Sequence, residues 1–147
     1  MQRLNTRLVA AAAAFGLAAG LSSLALAQEG GRPINVTMSG AAETPRGDPD
    51  GTGTATLRIN PGQMQVCYTL KVSGIATATA AHIHKAAPGA SGPPVVPLMA
   101  PASGTSEGCA TTTREIAQDM IQNPGAYYVN VHNAEFPGGA LRAQLSK

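Results

Sequence analysis

"MQVCYTLKV", residues 64–72, alternates without a break: Met64, Val66, Tyr68, Leu70 and Val72 fall on one side, and Gln65, Cys67, Thr69 and Lys71 on the other. Side chains two positions apart on an extended chain share a face, so the stretch predicts a β-strand with one face buried. One-sided burial is the habit of antiparallel sheets. Upstream, "GTATLRI" repeats the pattern with Ala55, Leu57 and Ile59 against Thr54, Thr56 and Arg58, and Pro61-Gly62 between the two runs supplies a hairpin turn.

The same period continues downstream. "IATATAAHIH" sets Ile75, Thr77, Thr79, Ala81 and Ile83 against Ala76, Ala78, Ala80, His82 and His84. "AYYVNVHN" sets Tyr127, Val129 and Val131 against Tyr128, Asn130 and His132, and "ALRAQLS" sets Leu141, Ala143 and Leu145 against Arg142 and Gln144. A single helix is expected at "TREIAQDMIQ", opened by Thr112 with Glu115 three residues on and closed by "NPG". Residues 86–108 are rich in Pro, Gly and Ser and read as a long loop with one extended piece at Val95–Leu98. About six to eight short strands in such a chain predict an all-β fold, an antiparallel β-sandwich or Greek-key barrel with one short helix.

The first 27 residues have a different character. Arg3 and Arg7 precede the 14-residue apolar run "LVAAAAAFGLAAGL", and Ala25–Ala27 ends in the small-x-small pattern of a cleavage site. We expect a cleaved export signal over residues 1–27, a single domain over residues 28–147, and a periplasmic or secreted product. The apolar run is shorter than the ~20 residues a membrane helix needs. Cleavage removes two of the ten basic residues and none of the eight acidic ones, leaving 8 − 8 = 0 formal charge. A neutral domain with no basic run lacks the footprint of a nucleic-acid binder. In an oxidising compartment an even cysteine count points to a Cys67–Cys109 disulfide, worth about 4 kcal/mol in the chain-entropy model.

All three histidines obey one parity. His82 and His84 share a face because they are two apart, and Ile83 between them takes the core. His132 lies opposite in phase to Val129 and Val131, so it too projects away from the core. If the strands are neighbours, three imidazoles converge, a donor set that suits copper, with zinc as an alternative. A His-x-His pair on a solvated strand also occurs without any metal. A turn centred near Pro137 would set Arg142 opposite His132, where a guanidinium beside a metal attracts a small anion; Arg142 is equally read as a solvated edge residue. Tyr128 and Asn130 share the outward face of His132, and Glu43 is a further candidate to support a histidine. "GDPDGTG" at residues 47–53 resembles a calcium loop only faintly, lacks the closing Glu, and reads better as a polar turn. No Gly-x-Ser-x-Gly elbow is present.

Three stretches, "MSGAAETPRGDPDGTGTATLRI", "AHIHKAAPGASGPPVVPL" and "YYVNVHNAEFPGGALRAQL", resemble the CHRD domain, named after chordin, over roughly residues 34–145. That resemblance implies an immunoglobulin-like β-sandwich and leaves activity open, since fold does not fix function. A weaker resemblance links the chain to the copper–zinc superoxide dismutases, in which a His-x-His strand and a later Val-His strand supply copper ligands. It implies that His82, His84 and His132 hold copper and that Arg142 guides the anion. The chain departs from that pattern in having no fourth histidine and no zinc loop. The expectation is an exported copper protein, with turnover of a small anion such as superoxide or simple copper buffering as its role. The rival expectation is a non-enzymatic module whose 86–108 loop meets a protein partner.

Overall fold

The computed structural model describes residues 30–147, so the export signal expected over residues 1–27 lies outside the described residues. In chain order the elements are β1 (Arg32–Ser39), β2 (Thr52–Asn60), β3 (Gln65–Ser73), β4 (Ala78–Lys85), β5 (Pro94–Leu98), β6 (Thr105–Thr111), α1 (Arg114–Gln122), β7 (Tyr127–Asn133) and β8 (Leu141–Gln144). Every pairing is antiparallel, in the order β5-β4-β7-β8-β1-β2-β3-β6.

Two four-stranded halves meet in this sheet at one register pair, Ser39 with Arg142. Their inner faces contribute to one apolar cluster, with Leu57, Ile59, Val66 and Leu70 from one half and Ile83, Val129, Val131 and Leu141 from the other. All eight of these side chains are fully buried. The two end strands also approach each other. The Met99 amide after β5 donates to the hydroxyl of Tyr68 on β3 at 2.8 Å, and Ser106 of β6 donates to the Met99 carbonyl at 2.7 Å. The result is an antiparallel β-sandwich close to a barrel. Cys67 and Cys109 face each other across β3 and β6 and form the expected disulfide.

The structure corrects several local expectations. Met64 is 47 % exposed and sits in the left-handed region at φ 53°, because the β2–β3 turn takes that residue and the strand begins at Gln65. A bulge between Ala78 and Ala80 shifts the phase of β4, so Ala78 is buried with Ala81 and Ile83 while Thr79 turns out and donates to the His132 carbonyl. The loop expected over 86–108 ends earlier, since β6 begins at Thr105. Thr113, not Thr112, caps α1 by accepting from the Ile116 amide at 3.2 Å. Thr112 is still tied to the β2–β3 turn by its amide, which donates to the Met64 carbonyl, so the helix starts one residue later.

Candidate metal centre

β4 and β7 are hydrogen-bonded neighbours, and their register decides the site. Ala80 pairs with His132, His82 with Asn130, and His84 with Tyr128. His132 is therefore a diagonal neighbour of His82 on the outward face, within reach of a ring at that spacing. Ring centroids lie 5.5 Å apart for His82 and His84, 5.2 Å for His82 and His132, and 6.3 Å for His84 and His132. One ring nitrogen from each histidine lies within 4.8 Å of the other two, so the convergence expected from strand parity is present.

Backbone carbonyls orient two of the rings. His84 Nδ1 is 2.8 Å from the Gly92 carbonyl, and His132 Nδ1 is 3.0 Å from the Pro137 carbonyl. A carbonyl only accepts, so each Nδ1 carries the proton and each Nε2 keeps its lone pair in the neutral ring. His84 Nε2 is buried and has no hydrogen-bond partner. His132 Nε2 lies 3.3 Å from His82 Nδ1. Second-nitrogen bonds of this kind are what fix a histidine for metal ligation. Burial, and then the neighbouring imidazoles His132 and His84, hold His82 below the ordinary histidine range. Burial also lowers His132, against the opposing bond to Pro137. Both effects favour the neutral, ligating form.

Arg142 occupies a different place from the one expected. It pairs with Asn130 and not with His132, because the β7–β8 turn is centred one residue earlier than Pro137; the shift is two positions across the pair, so the face is kept. Its side chain is 1 % exposed. The guanidinium lies 3.5 Å over the Tyr128 ring and donates to the carbonyls of Ala90 and Ala87 and to Gln144 Oε1. Tyr128 in turn stacks on His84 at 4.8 Å with ring planes 9° apart. Arg142 thus reaches the histidines through Tyr128 and does not stand in solvent beside them.

Glu43 closes the group from another direction. The 3-10 turn Gly40–Ala42 delivers it to the interior, where it is 6 % exposed. Burial raises its carboxyl above the usual range, while a side-chain bond from Asn130 and the charge of Arg142 pull it back down. Its Oε1 has no hydrogen-bond partner. At Gly139, with φ +142°, any Cβ would stand 2.1 Å from that oxygen, which explains the second glycine of "FPGG". Asp48 accepts from the Asp50 amide at 3.0 Å, consistent with "GDPDGTG" being a polar turn.

The ring-orienting carbonyls of Gly92 and Pro137 are parts of the site that sequence reading missed. A backbone carbonyl is offered by every residue, so no side-chain pattern marks it. Among the described residues no helix is long and apolar enough to cross a membrane. The family model described as the CHRD domain matches residues 34–145. No curated protein and no solved structure matches the chain.

Proposed function

The chain belongs to the CHRD-domain family, and from that premise we propose that it is an exported copper-binding domain whose His82, His84 and His132 hold one ion. The observation that carries this reading is the convergence of one ring nitrogen from each histidine within 4.8 Å, beside a buried and otherwise partnerless Nε2 on His84. An orphaned buried acceptor costs about 1–3 kcal/mol, a penalty that a bound cation removes. Three neutral imidazoles suit copper and zinc, and the affinity order for nitrogen sites favours Cu(II). The disulfide supports a compartment outside the cytoplasm.

Copper held there would supply one-electron redox chemistry, and turnover of superoxide is the catalytic extension of the reading. His82 and His132 are only half-buried, which leaves the ring cluster open to a small anion. In this scheme Arg142 acts from within, as a fixed positive charge behind Tyr128. The interaction-module alternative draws less support, since the segment that would meet a partner already gives the carbonyls of Ala86, Ala87 and Ala90 to Gln144 and Arg142.

Titration of the purified mature domain with Cu(II) and with Zn(II), alongside His82→Ala and His132→Ala, tests the reading. One equivalent of Cu(II) taken up by the unmodified chain and lost in both variants is expected. Indifference of all three proteins to Cu(II) overturns it. A superoxide-clearance assay with chelator controls then separates catalysis from storage.

A further inference from the structure

Hydrogen-bond accounting at His132 leaves two acceptors face to face. Its Nδ1 proton is committed to the Pro137 carbonyl, so Nε2 of the neutral ring holds a lone pair. Yet Asn130 Oδ1 stands 3.1 Å from that Nε2. The amide nitrogen, the end of Asn130 that donates, is turned to the buried Glu43 carboxyl, whose pKa it helps to keep from rising further, while Oδ1 is the atom placed at the ring. The carbonyl end is therefore directed at the ring cluster.

An approach of this kind is unfavourable unless something positive lies between the atoms. Two donors each about 2.0–2.1 Å from one metal are roughly 2.9 Å apart at a right angle and about 3.4 Å apart at the tetrahedral angle. The 3.1 Å from His132 Nε2 to Asn130 Oδ1 and the 3.3 Å from His132 Nε2 to His82 Nδ1 both fall in that interval. Asn130 is 2 % exposed and directly opposite His82 in the register, so its side chain has little freedom to leave.

We propose that the carbonyl oxygen of Asn130 is a fourth ligand of the site, completing a three-nitrogen, one-oxygen set. The inference rests on the metal-binding reading above and adds a ligand to it. Glu43 and Arg142 are positioning residues in this arrangement. The Glu43 carboxyl lies on the amide-nitrogen side of Asn130, Arg142 contributes a positive charge nearby, and Gly139 leaves the carboxyl its room. An oxygen donor beside three imidazoles also makes the site harder in ligand character than an all-nitrogen one, which favours Cu(II) over Cu(I).

The test compares the unmodified chain with Asn130→Ala and Asn130→Asp, loaded with Cu(II) alone and examined by competition titration, continuous-wave and pulsed EPR, and X-ray absorption. Asn130→Ala is expected to weaken Cu(II) binding roughly 10–100-fold, the range for losing a group that supports a metal site. It should shift the parallel g and hyperfine values, retain three imidazole couplings and lose one oxygen scatterer. Asn130→Asp keeps an oxygen at the same place and adds charge, so it should bind at least as tightly as the unmodified chain with a changed hyperfine value. Should Asn130→Ala fail to fold, Asn130→Asp decides alone, and a spectrum identical to that of the unmodified chain overturns the fourth ligand. Normal affinity and spectra in a folded Asn130→Ala overturn it as well. Failure of the unmodified chain to take up Cu(II) sinks the underlying reading along with it, a result distinct from either.

Discussion

On β2 and β3 the outward positions Thr54, Thr56 and Lys71 are exposed, Arg58, Gln65 and Thr69 are half-buried and only the disulfide-bonded Cys67 is buried, whereas on β7 and β8 Tyr128, Asn130 and Arg142 are buried and His132 and Gln144 half-buried. Both sets come from the same two-residue alternation, and both point away from the shared core. What separates them is a cover. Residues 86–92 lie across the second face, giving carbonyls to Arg142, Gln144 and His84 and the Gly92 amide proton to the Tyr128 hydroxyl, while Glu43 enters from the 3-10 turn side. Alternation assigns a side chain to a face; whether that face is wet is settled by segments far away in the chain.

The largest expected effect exploits this contrast. Arg142→Ala would strip the Ala87 and Ala90 carbonyls of their donor and empty the space over the Tyr128 ring, a loss of about 1–3 kcal/mol for each carbonyl left stranded. Lys71→Ala, on the open face, should stay within about 0.5 kcal/mol of the unmodified chain. Urea unfolding midpoints of the two variants measure the difference directly. Equal midpoints would mean that the covered face is no more structural than the open one.

A smaller effect comes from lifting the cover itself. At Gly92 a Cβ would stand 2.0 Å from the Lys85 carbonyl oxygen and 2.9 Å from the Ala86 Cβ, so Gly92→Ala must push the segment off its seat. Overpacking of this kind costs about 1–3 kcal/mol. Because the same residue holds His84 Nδ1, the variant should also accelerate proteolysis within residues 86–92 and loosen metal uptake. Unchanged digestion kinetics would show that the segment is seated by other contacts.

How much of this was legible in the sequence follows from the same contrast. Strand alternation at Val66, Tyr68 and Leu70, and again at Val129 and Val131, places these residues in the core where the structure has them. It also brings the three histidines to one surface, since parity survives any even shift in register. Parity fails at Ala78–Ala80, where a bulge inserts a residue, and at Met64, where a turn claims a position that the alternation gives to the strand. Arg142 marks the other limit. Its face was readable, but its partner across the hairpin depended on a turn centre, and its burial depended on residues 86–92, which carry no periodicity at all.

The smallest expected effect concerns the edge of the cover, where Lys85 ends β4 just before residues 86–92 and reaches α1. Its ammonium is 2.7 Å from Asp119 Oδ2, and Asp119 also accepts from Tyr127 and Asn123. Lys85 first, then Tyr127 and Asn123, hold the Asp119 carboxyl well below its ordinary value of 3.8. Above that value the carboxylate is ionised both folded and unfolded, so this stabilisation is fully present. As pH falls through 3.8 the unfolded chain takes up a proton that the folded chain refuses, and the contribution is progressively lost. Asp119→Asn removes the titration along with the ion pair. Because Lys85 is exposed and Asp119 only half-buried, the variant should lie only slightly below the unmodified chain at neutral pH, and the two stability curves should converge in acid. Unfolding curves collected from pH 7 down to about pH 2 measure that difference; a gap that stays constant with pH would show that Asp119 acts through packing and not through its charge.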